Sequence, residues 1–181
     1  MEVAQDRQGG GMNTVYTIGY EGTDIDRLIE TLRAVDIRVL ADVRAIALSR
    51  KKVFSKKALK SRLEAEGIEY QHFVDLGDPK PGREAARAGR YDVFRSIYAE
   101  HLATSQAKDA LSVLSTLTSR EATCLLCFER DPSVCHRSIV AARLKKQGRI
   151  VFDLYGDLPR RYDNFSTQQP RRYLGESASA A

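Results

Sequence analysis

The sequence predicts a single-domain α/β protein with an open, mostly parallel sheet of about five strands and helices on both faces (Rossmann-like). Strand-like and helix-like segments alternate along the chain, which is typical of βαβ units. Two strand segments, at 37–43 and 123–128, are nearly continuous apolar runs, as expected for strands covered on both faces. A length of 181 residues, with 43% hydrophobic and 29% charged residues, suits one globular domain.

The first half of the chain contains three predicted strands and two predicted helices. A β-branched run at 15–20 forms the first strand, and Thr23 or Asp24 can cap the helix that follows. That helix has apolar residues at helical spacing from Ile25 to Val35. After the strand at 37–43, Ser55 caps a second helix that stops at Gly67, and a third strand follows at 68–73.

The second half begins with a predicted loop, because residues 76–84 are rich in glycine and proline. Two helices are expected next, and then the most apolar strand. Asp131 can cap the last helix, with Pro132 at its first position. The predicted elements after the loop are helices 91–103 and 106–119, strand 123–128, helix 133–147 and strand 149–155.

The ends of the chain differ in composition from the rest. We expect residues 1–13 and 175–181 to be flexible tails around one domain at 14–174. There is no charged-then-apolar leader, and no apolar run approaches the ~18 residues of a membrane span. Three cysteines cannot all pair within one chain. A cytoplasmic protein without a membrane partner is therefore expected, and its oligomeric state is left open.

The residues just after each strand are expected to form a ligand site, because ligands of open α/β sheets bind beyond the carboxyl ends of the strands. Arg44 follows Asp42 by two positions, so both side chains point to the same side if the strand continues. A local ion pair between them is the alternative. The predicted ligand-binding residues from these junctions are Gly19, Tyr20, Glu21, Gly22 and Arg44.

The segment from Cys127 to Ser138 has the densest set of reactive side chains. It leads from a buried strand through Glu129 to Cys135, His136 and Arg137 in the first turns of a helix. A helix N-terminus favours anions, so Arg137 is predicted to bind one there. The same position would lower the pKa of Cys135, which makes it a candidate nucleophile, although a buried packing role is the alternative.

The predicted catalytic residues are Glu129 or Asp42 as general acid or base, and Cys135 or His136 as nucleophile or proton carrier. No metal site is expected, since Cys127, Cys135 and His136 lack a fourth ligand and the usual close spacing. Cys124 and Cys127 are spaced as a C-x-x-C pair, but they lie in a strand, where residues three apart point to opposite faces. We therefore do not expect them to form a redox or zinc pair. No cofactor is expected either.

The net charge of +5 suits an anionic partner. A basic segment at 50–62 contains no acid, and its lysines are candidates for nucleic-acid contacts: Lys51, Lys52, Lys56 and Lys57. A second basic cluster near the C-terminus combines arginines with aromatic residues: Arg160, Arg161, Arg171 and Arg172 beside Tyr162, Phe165 and Tyr173. The alternative is that these charges only solvate the surface.

Several short motifs resemble the "domain of unknown function 488" family. They are TIGYEG at 17–22, DVR at 42–44, LGD at 76–78 and LLCFERDPSVCHR at 125–137, within a match over about 15–155. The resemblance implies an α/β fold with a site at the strand ends. It implies no function, and the Glu21-Gly22 turn departs from the His-Ser-like pair of many relatives.

Three functions compete. The first is an enzyme that acts on a nucleotide, a nucleic acid or another phosphorylated substrate held at the strand ends. The second is a non-catalytic nucleic-acid-binding protein that uses its basic segments. The third is a buried ion network that only stabilises the fold. Polar residues gathered at the strand ends favour the first over the third, so the expected partner is an anionic small molecule or a nucleic acid.

Overall fold

The computed structural model describes residues 13–162, which form one five-stranded sheet. All neighbouring strands are parallel, and their order across the sheet is β3-β2-β4-β1-β5. The strands are β1 (Thr14–Gly19), β2 (Val39–Asp42), β3 (Glu69–His72), β4 (Thr123–Cys127) and β5 (Ile150–Tyr155). The predicted open parallel sheet is therefore confirmed.

Six α-helices cover the sheet on both faces. They are α1 (Ile25–Ala34), α2 (Lys56–Glu64), α3 (Lys80–Arg87), α4 (Tyr91–Leu102), α5 (Ser105–Arg120) and α6 (His136–Lys146). Short 3-10 turns occupy Lys52–Phe54, Val74–Leu76, Pro132–Val134 and Pro159–Tyr162. Asp24 caps α1 by accepting a hydrogen bond from the amide of Arg27.

The core consists of two hydrophobic clusters, one on each face of the sheet, and the helices pack over them in two layers. Leu28 of α1 and Leu59 of α2 pack with Ile18 on one face of the sheet. Tyr98 of α4 and Val140 of α6 pack on the other face, together with residues from α3 and α5. Side chains alternate between the two faces along β1, so Tyr16 and Ile18 belong to the first cluster and Val15 to the second.

The carboxyl end of β4 is a topological switch point. β1 and β2, its two neighbours, lead into α1 and α2 on one face of the sheet. β4 itself leads into α6 on the opposite face. Because the connection after β4 runs to the face opposite those after β1 and β2, a crevice opens at the carboxyl edge.

Two predicted elements differ from the structure. Residues 76–84 were expected to be a loop, but helix α3 begins at Lys80 with proline in its first turn. Proline is tolerated there because the amide that it lacks would be unpaired in any case. The last helix was expected from about 133, but Pro132–Val134 is a separate 3-10 turn capped by Asp131. Helix α6 therefore starts at His136, with Cys135 at its N-cap.

The segment after β4 lies directly against the end of β1. A Cβ atom at Gly19 would overlap the carbonyl group of Glu129, so only glycine fits at this point. The guanidinium of Arg137 fixes the same segment from the other side, because Nη1 donates to the carbonyl of Glu129 and Nη2 to that of Arg130. Between residues 13 and 162, no helix has both the length and the apolar composition needed to cross a membrane.

Replacing Gly19 with alanine should destabilise the fold by about 1–3 kcal/mol or more, because the new methyl group displaces the backbone after β4. Chemical denaturation in urea measures this loss. Gly82→Ala is the matched control, since a Cβ there would meet Phe94 at an ordinary 3.5 Å and alanine favours the helix. Equal stability of the two variants would contradict the close approach at Gly19.

Candidate functional site

A cavity of about 970 Å³ opens at the carboxyl edge of the sheet, at the switch point. Its walls come from the segments after β1, β2 and β4 and from helices α3 and α6. The lining includes five cationic and three acidic side chains: Arg44, Arg50, Lys51, Arg83 and Arg87, and Glu21, Asp78 and Glu129. Tyr20, Phe128, Ile46 and Leu48 add apolar surface, and Cys127 and His136 lie at the base.

Asp42 and Arg44 form a buried ion pair beneath this cavity. Arg44 Nε lies 2.8 Å from Asp42 Oδ1 and Nη2 lies 2.5 Å from Oδ2, which is a bidentate contact. Tyr70 donates a third hydrogen bond, at 2.6 Å, to Asp42 Oδ2. Asp42 is fully buried and does not line the cavity, so the local ion pair that the sequence left open is present.

The remaining donors of Arg44 also bind protein atoms. Its Nη1 donates to the hydroxyl of Tyr20 at 3.1 Å and to the carbonyl of Phe54 at 3.0 Å. Burial opposes the charge, but the contacts with Asp42 outweigh it and raise the pKa of the Arg44 guanidinium. Burial and the Asp42 carboxylate likewise raise the pKa of Tyr70. Arg44 is thus a charged but largely saturated part of the cavity floor.

Arg137 lies deeper than the sequence suggested. Its side chain is fully buried, and Nε lies 3.2 Å from the hydroxyl of Thr17 in addition to its contacts with the two carbonyls after β4. Thr17 in turn donates to Asp153 at 2.6 Å. Arg137 is not among the residues that line the cavity, and its guanidinium nitrogens all have protein partners.

The turn after β1 contributes three of its predicted residues to the cavity, namely Tyr20, Glu21 and Gly22. The Glu21 carboxylate accepts a hydrogen bond from the amide of Arg130 at 3.0 Å, which links this turn to the segment after β4. Gly22 has a φ of 76°, a left-handed conformation that suits glycine. Gly19 does not line the cavity and instead allows the close contact with Glu129.

A cluster of sulfur, nitrogen and carboxylate groups lies at the base of the cavity. The ligand atoms of Cys127, Cys135 and His136 are all within 4.8 Å of one another. The Sγ atom of Cys127 lies 3.1 Å from Glu129 Oε2 and 3.6 Å from His136 Nδ1. Asp78 Oδ1 is 3.7 Å from the same ring nitrogen. The tertiary fold therefore brings Cys127, Cys135 and His136 together despite their spacing in sequence, and it adds Asp78 from a distant segment.

Burial dominates the thiols of this cluster. It raises the pKa of Cys127 and raises that of Cys135 well above its ordinary value. The expected lowering of the Cys135 pKa by the helix end is therefore not found, because Cys135 is only 2% exposed. Cys135 does not line the cavity and has the geometry of the packing alternative rather than of a free nucleophile.

The other two groups of the cluster carry charge. Burial disfavours the imidazolium of His136, but contacts with Cys135, Asp78 and the carbonyl of Val43 raise its pKa to about 9. Burial also opposes the Glu129 carboxylate, yet hydrogen bonds from Cys127 and Cys135 lower its pKa below the ordinary value. Glu129 and His136 both line the cavity.

Of the four lysines proposed for nucleic-acid contacts, only Lys51 lines the cavity. It donates to the carbonyl of Thr23 at 2.6 Å. Lys52, Lys56 and Lys57 are exposed on the 3-10 turn and helix α2, outside the lining. In the C-terminal basic cluster, Tyr162 is buried and Arg160 and Arg161 are exposed, and the other members lie outside the described residues.

Sequence reasoning missed Arg87 and the helix that presents it to the cavity. Arg83 was expected near the site, available to an anion, but in a loop, and Arg87 was not singled out. Both reach the cavity because residues 80–87 are helical and turn one face toward it. Spacing of four residues, which places two side chains on one helix face, would have grouped them had a helix been predicted.

Replacing Asp42 with alanine should cost about 3–5 kcal/mol of folding stability, since it leaves the buried Arg44 charge without its partner. Urea denaturation followed by circular dichroism measures the loss. Asp26→Ala is the control, because its ion pair with Arg62 is exposed and should contribute at most about 1 kcal/mol. Similar losses in the two variants would contradict the structural role of Asp42.

Comparison with known proteins identifies a family and nothing more specific. The family model described as "Domain of unknown function DUF488" matches residues 24–144, which include β2, β3, β4 and the cavity segments that follow β2 and β4. Neither the curated proteins nor the solved structures contain a significant match. The matched region covers well over half of the chain, so this protein belongs to the DUF488 family.

Proposed function

We propose that the cavity binds a phosphate-bearing ligand, a nucleotide or a nucleotide unit of a single-stranded nucleic acid. The proposal rests on a group of cations around its mouth, two of which, Arg50 and Arg87, have no protein partner among the described residues; the group is Arg50, Lys51, Arg83 and Arg87. They belong to two separate segments, the one after β2 and helix α3. Cations from both sides of a cavity suit a polyvalent anion.

The contacts of these cations support this assignment. Within residues 13–162, the guanidinium groups of Arg50 and Arg87 have neither an ion-pair partner nor a hydrogen-bond partner. Arg83 donates a hydrogen bond to the backbone carbonyl of Asp78, and its Nη1 atom lies 3.9 Å from the carboxylate oxygen Oδ1 of the same aspartate. Arg44, by contrast, is neutralised by Asp42. The positive charge available to a ligand therefore lies at the rim rather than the floor.

The apolar surface of the same cavity favours a nucleotide over a simple anion. Phe128 is 42% exposed, and its ring packs edge-on against Tyr20 at a centroid distance of 5.3 Å. Ile46 and Leu48, which also line the cavity, are exposed as well. Proteins bind nucleotides and single-stranded nucleic acids through this combination, in which the bases stack on aromatic rings and the phosphates pair with cationic groups.

If the ligand is a substrate, Glu129 is the group placed to act on it. Among the four proposed catalytic residues, only Glu129 and His136 line the cavity. The Glu129 carboxylate is ionised at neutral pH, so it can accept a hydrogen bond from a bound water and orient it, a role that its lowered pKa suits better than proton abstraction. The buried Asp42 and Cys135 would act only by positioning other groups.

The three free cysteines support a second proposal, that the protein is cytoplasmic, because free thiols persist in a reducing compartment.

A pair of charge-matched variants tests the binding site. Arg50→Ala/Arg87→Ala should weaken binding of a fluorescein-labelled, 5′-phosphorylated single-stranded oligonucleotide by about tenfold or more, because charge-assisted hydrogen bonds to phosphate are lost. Fluorescence anisotropy across a salt series measures affinity. The dependence of log affinity on log salt should flatten by about 0.7 for each phosphate contact removed.

Lys56→Ala/Lys57→Ala is the control, since it removes the same charge from the exposed face of α2, outside the cavity. Its affinity should stay close to that of the wild type. The reverse ranking, with binding lost only in the α2 variant, would support the non-catalytic nucleic-acid surface instead. Equal effects of both variants would contradict a cavity-specific site.

The base-binding part of the proposal rests on Phe128. Phe128→Ala should weaken binding of the same oligonucleotide by about 1–3 kcal/mol, the usual contribution of one base stacked on an aromatic ring. Competition by inorganic phosphate should be unaffected, since it needs only the cations. Val113→Ala, an exposed apolar residue on α5, is the control and should bind like the wild type. If Phe128→Ala lowered the affinities for inorganic phosphate and for the oligonucleotide equally, the result would argue against stacking at Phe128.

A further inference from the structure

We infer that Cys127, Cys135 and His136 form a zinc site at the base of the cavity. The three ligand atoms, two Sγ atoms and one imidazole nitrogen, are within 4.8 Å of one another. Two thiolates and an imidazole form a donor set that selects Zn²⁺ over the oxygen-preferring Mg²⁺ and Ca²⁺. The inference concerns metal binding alone and does not depend on the proposed nucleotide.

The distances suit a tetrahedral ion. A sulfur at about 2.3 Å and a nitrogen at about 2.0–2.1 Å from zinc lie about 3.6 Å apart at the tetrahedral angle. His136 Nδ1 and Cys127 Sγ are 3.6 Å apart in the structure. The two ligands are therefore already at the separation that a shared zinc ion requires, and the Cys135 sulfur needs at most a small movement to join them.

The ring of His136 is oriented for this role. Its Nε2 atom lies 2.7 Å from the carbonyl oxygen of Val43, to which it donates a hydrogen bond. This contact directs Nδ1 toward the two sulfurs and leaves its lone pair available once the Nδ1 proton is released. A ligating histidine whose other nitrogen donates to a backbone carbonyl is the usual arrangement around protein-bound metals.

The ligands are held by rigid elements rather than by a loose loop. Cys127 is the last residue of β4, Cys135 is the N-cap of α6 and His136 is the first residue of that helix. All three side chains are buried. A bound Zn²⁺ displaces the thiol protons and holds both sulfurs as thiolates within this enclosure.

The three ligands leave one position of a tetrahedral ion for another donor. Cys127 and His136 both line the cavity, and the Glu129 carboxylate lies 3.1 Å from the Cys127 sulfur. The fourth position is thus taken by Glu129 or by a water molecule on the cavity side. Three protein ligands with an accessible fourth position are typical of catalytic rather than purely structural zinc.

Metal analysis of the full chain tests the site. Reduced protein stripped with a chelator and reloaded with zinc chloride should retain one zinc per chain after desalting, measured by mass spectrometry. Cys135→Ala and His136→Gln should lose it. Cys124→Ala is the matched control, because Cys124 is a buried cysteine of the same strand outside the ligand cluster, and it should retain the ion.

Cobalt substitution gives a readout that requires no variant, which matters if Cys135→Ala fails to fold. Wild-type protein titrated with Co²⁺ should show sulfur-to-metal charge-transfer absorption and the intense visible bands of tetrahedral cobalt. Absence of the charge-transfer absorption in folded wild-type protein would overturn the inference. Equal zinc retention by wild type and a folded Cys135→Ala variant would also overturn it. Neither result would bear on oligonucleotide binding, which is measured without added metal.

Discussion

The buried guanidinium of Arg137 is the interaction on which the site depends. A cation removed from water is tolerated only when its donors are satisfied, and Arg137 meets this condition through Thr17 and two backbone carbonyls after β4. It therefore ties the segment that contains Glu129 to the end of β1. Gly19 completes the constraint, since it lets the two backbones touch.

The charges at the carboxyl edge fall into two groups with different roles. Asp42 and Arg44 neutralise each other in the interior and support the floor of the cavity. Arg50 and Arg87 remain exposed to solvent at the rim. Interior pairs are held by low dielectric and precise hydrogen bonding, whereas rim charges keep their freedom to meet a ligand. This division explains how one edge of the sheet can be both rigid and positively charged.

Two opposing effects act on the sulfurs between these groups. At Cys135 the N-terminus of α6 favours a thiolate while burial penalises it, and burial prevails; burial also raises the pKa of Cys127 at the end of β4. A reactive thiolate is therefore disfavoured in the metal-free chain. The same enclosure, with His136 oriented by Val43, is favourable for a divalent cation that brings its own charge. The proposed zinc site and the proposed phosphate site would then share one cavity.

The fold class, the strands and the edge of the sheet that carries the polar residues can all be inferred from local patterns in the sequence. Apolar runs such as 123–128 and their alternation with helical patterns are local features of the chain. Three features of the site follow instead from how the elements pack: Arg137 and Asp42 are buried beneath the cavity, Arg87 reaches it from an unpredicted helix, and Cys127 lies 3.6 Å from His136. The position of a residue after a strand specifies the edge of the sheet, but the depth of its side chain depends on packing between elements distant in sequence.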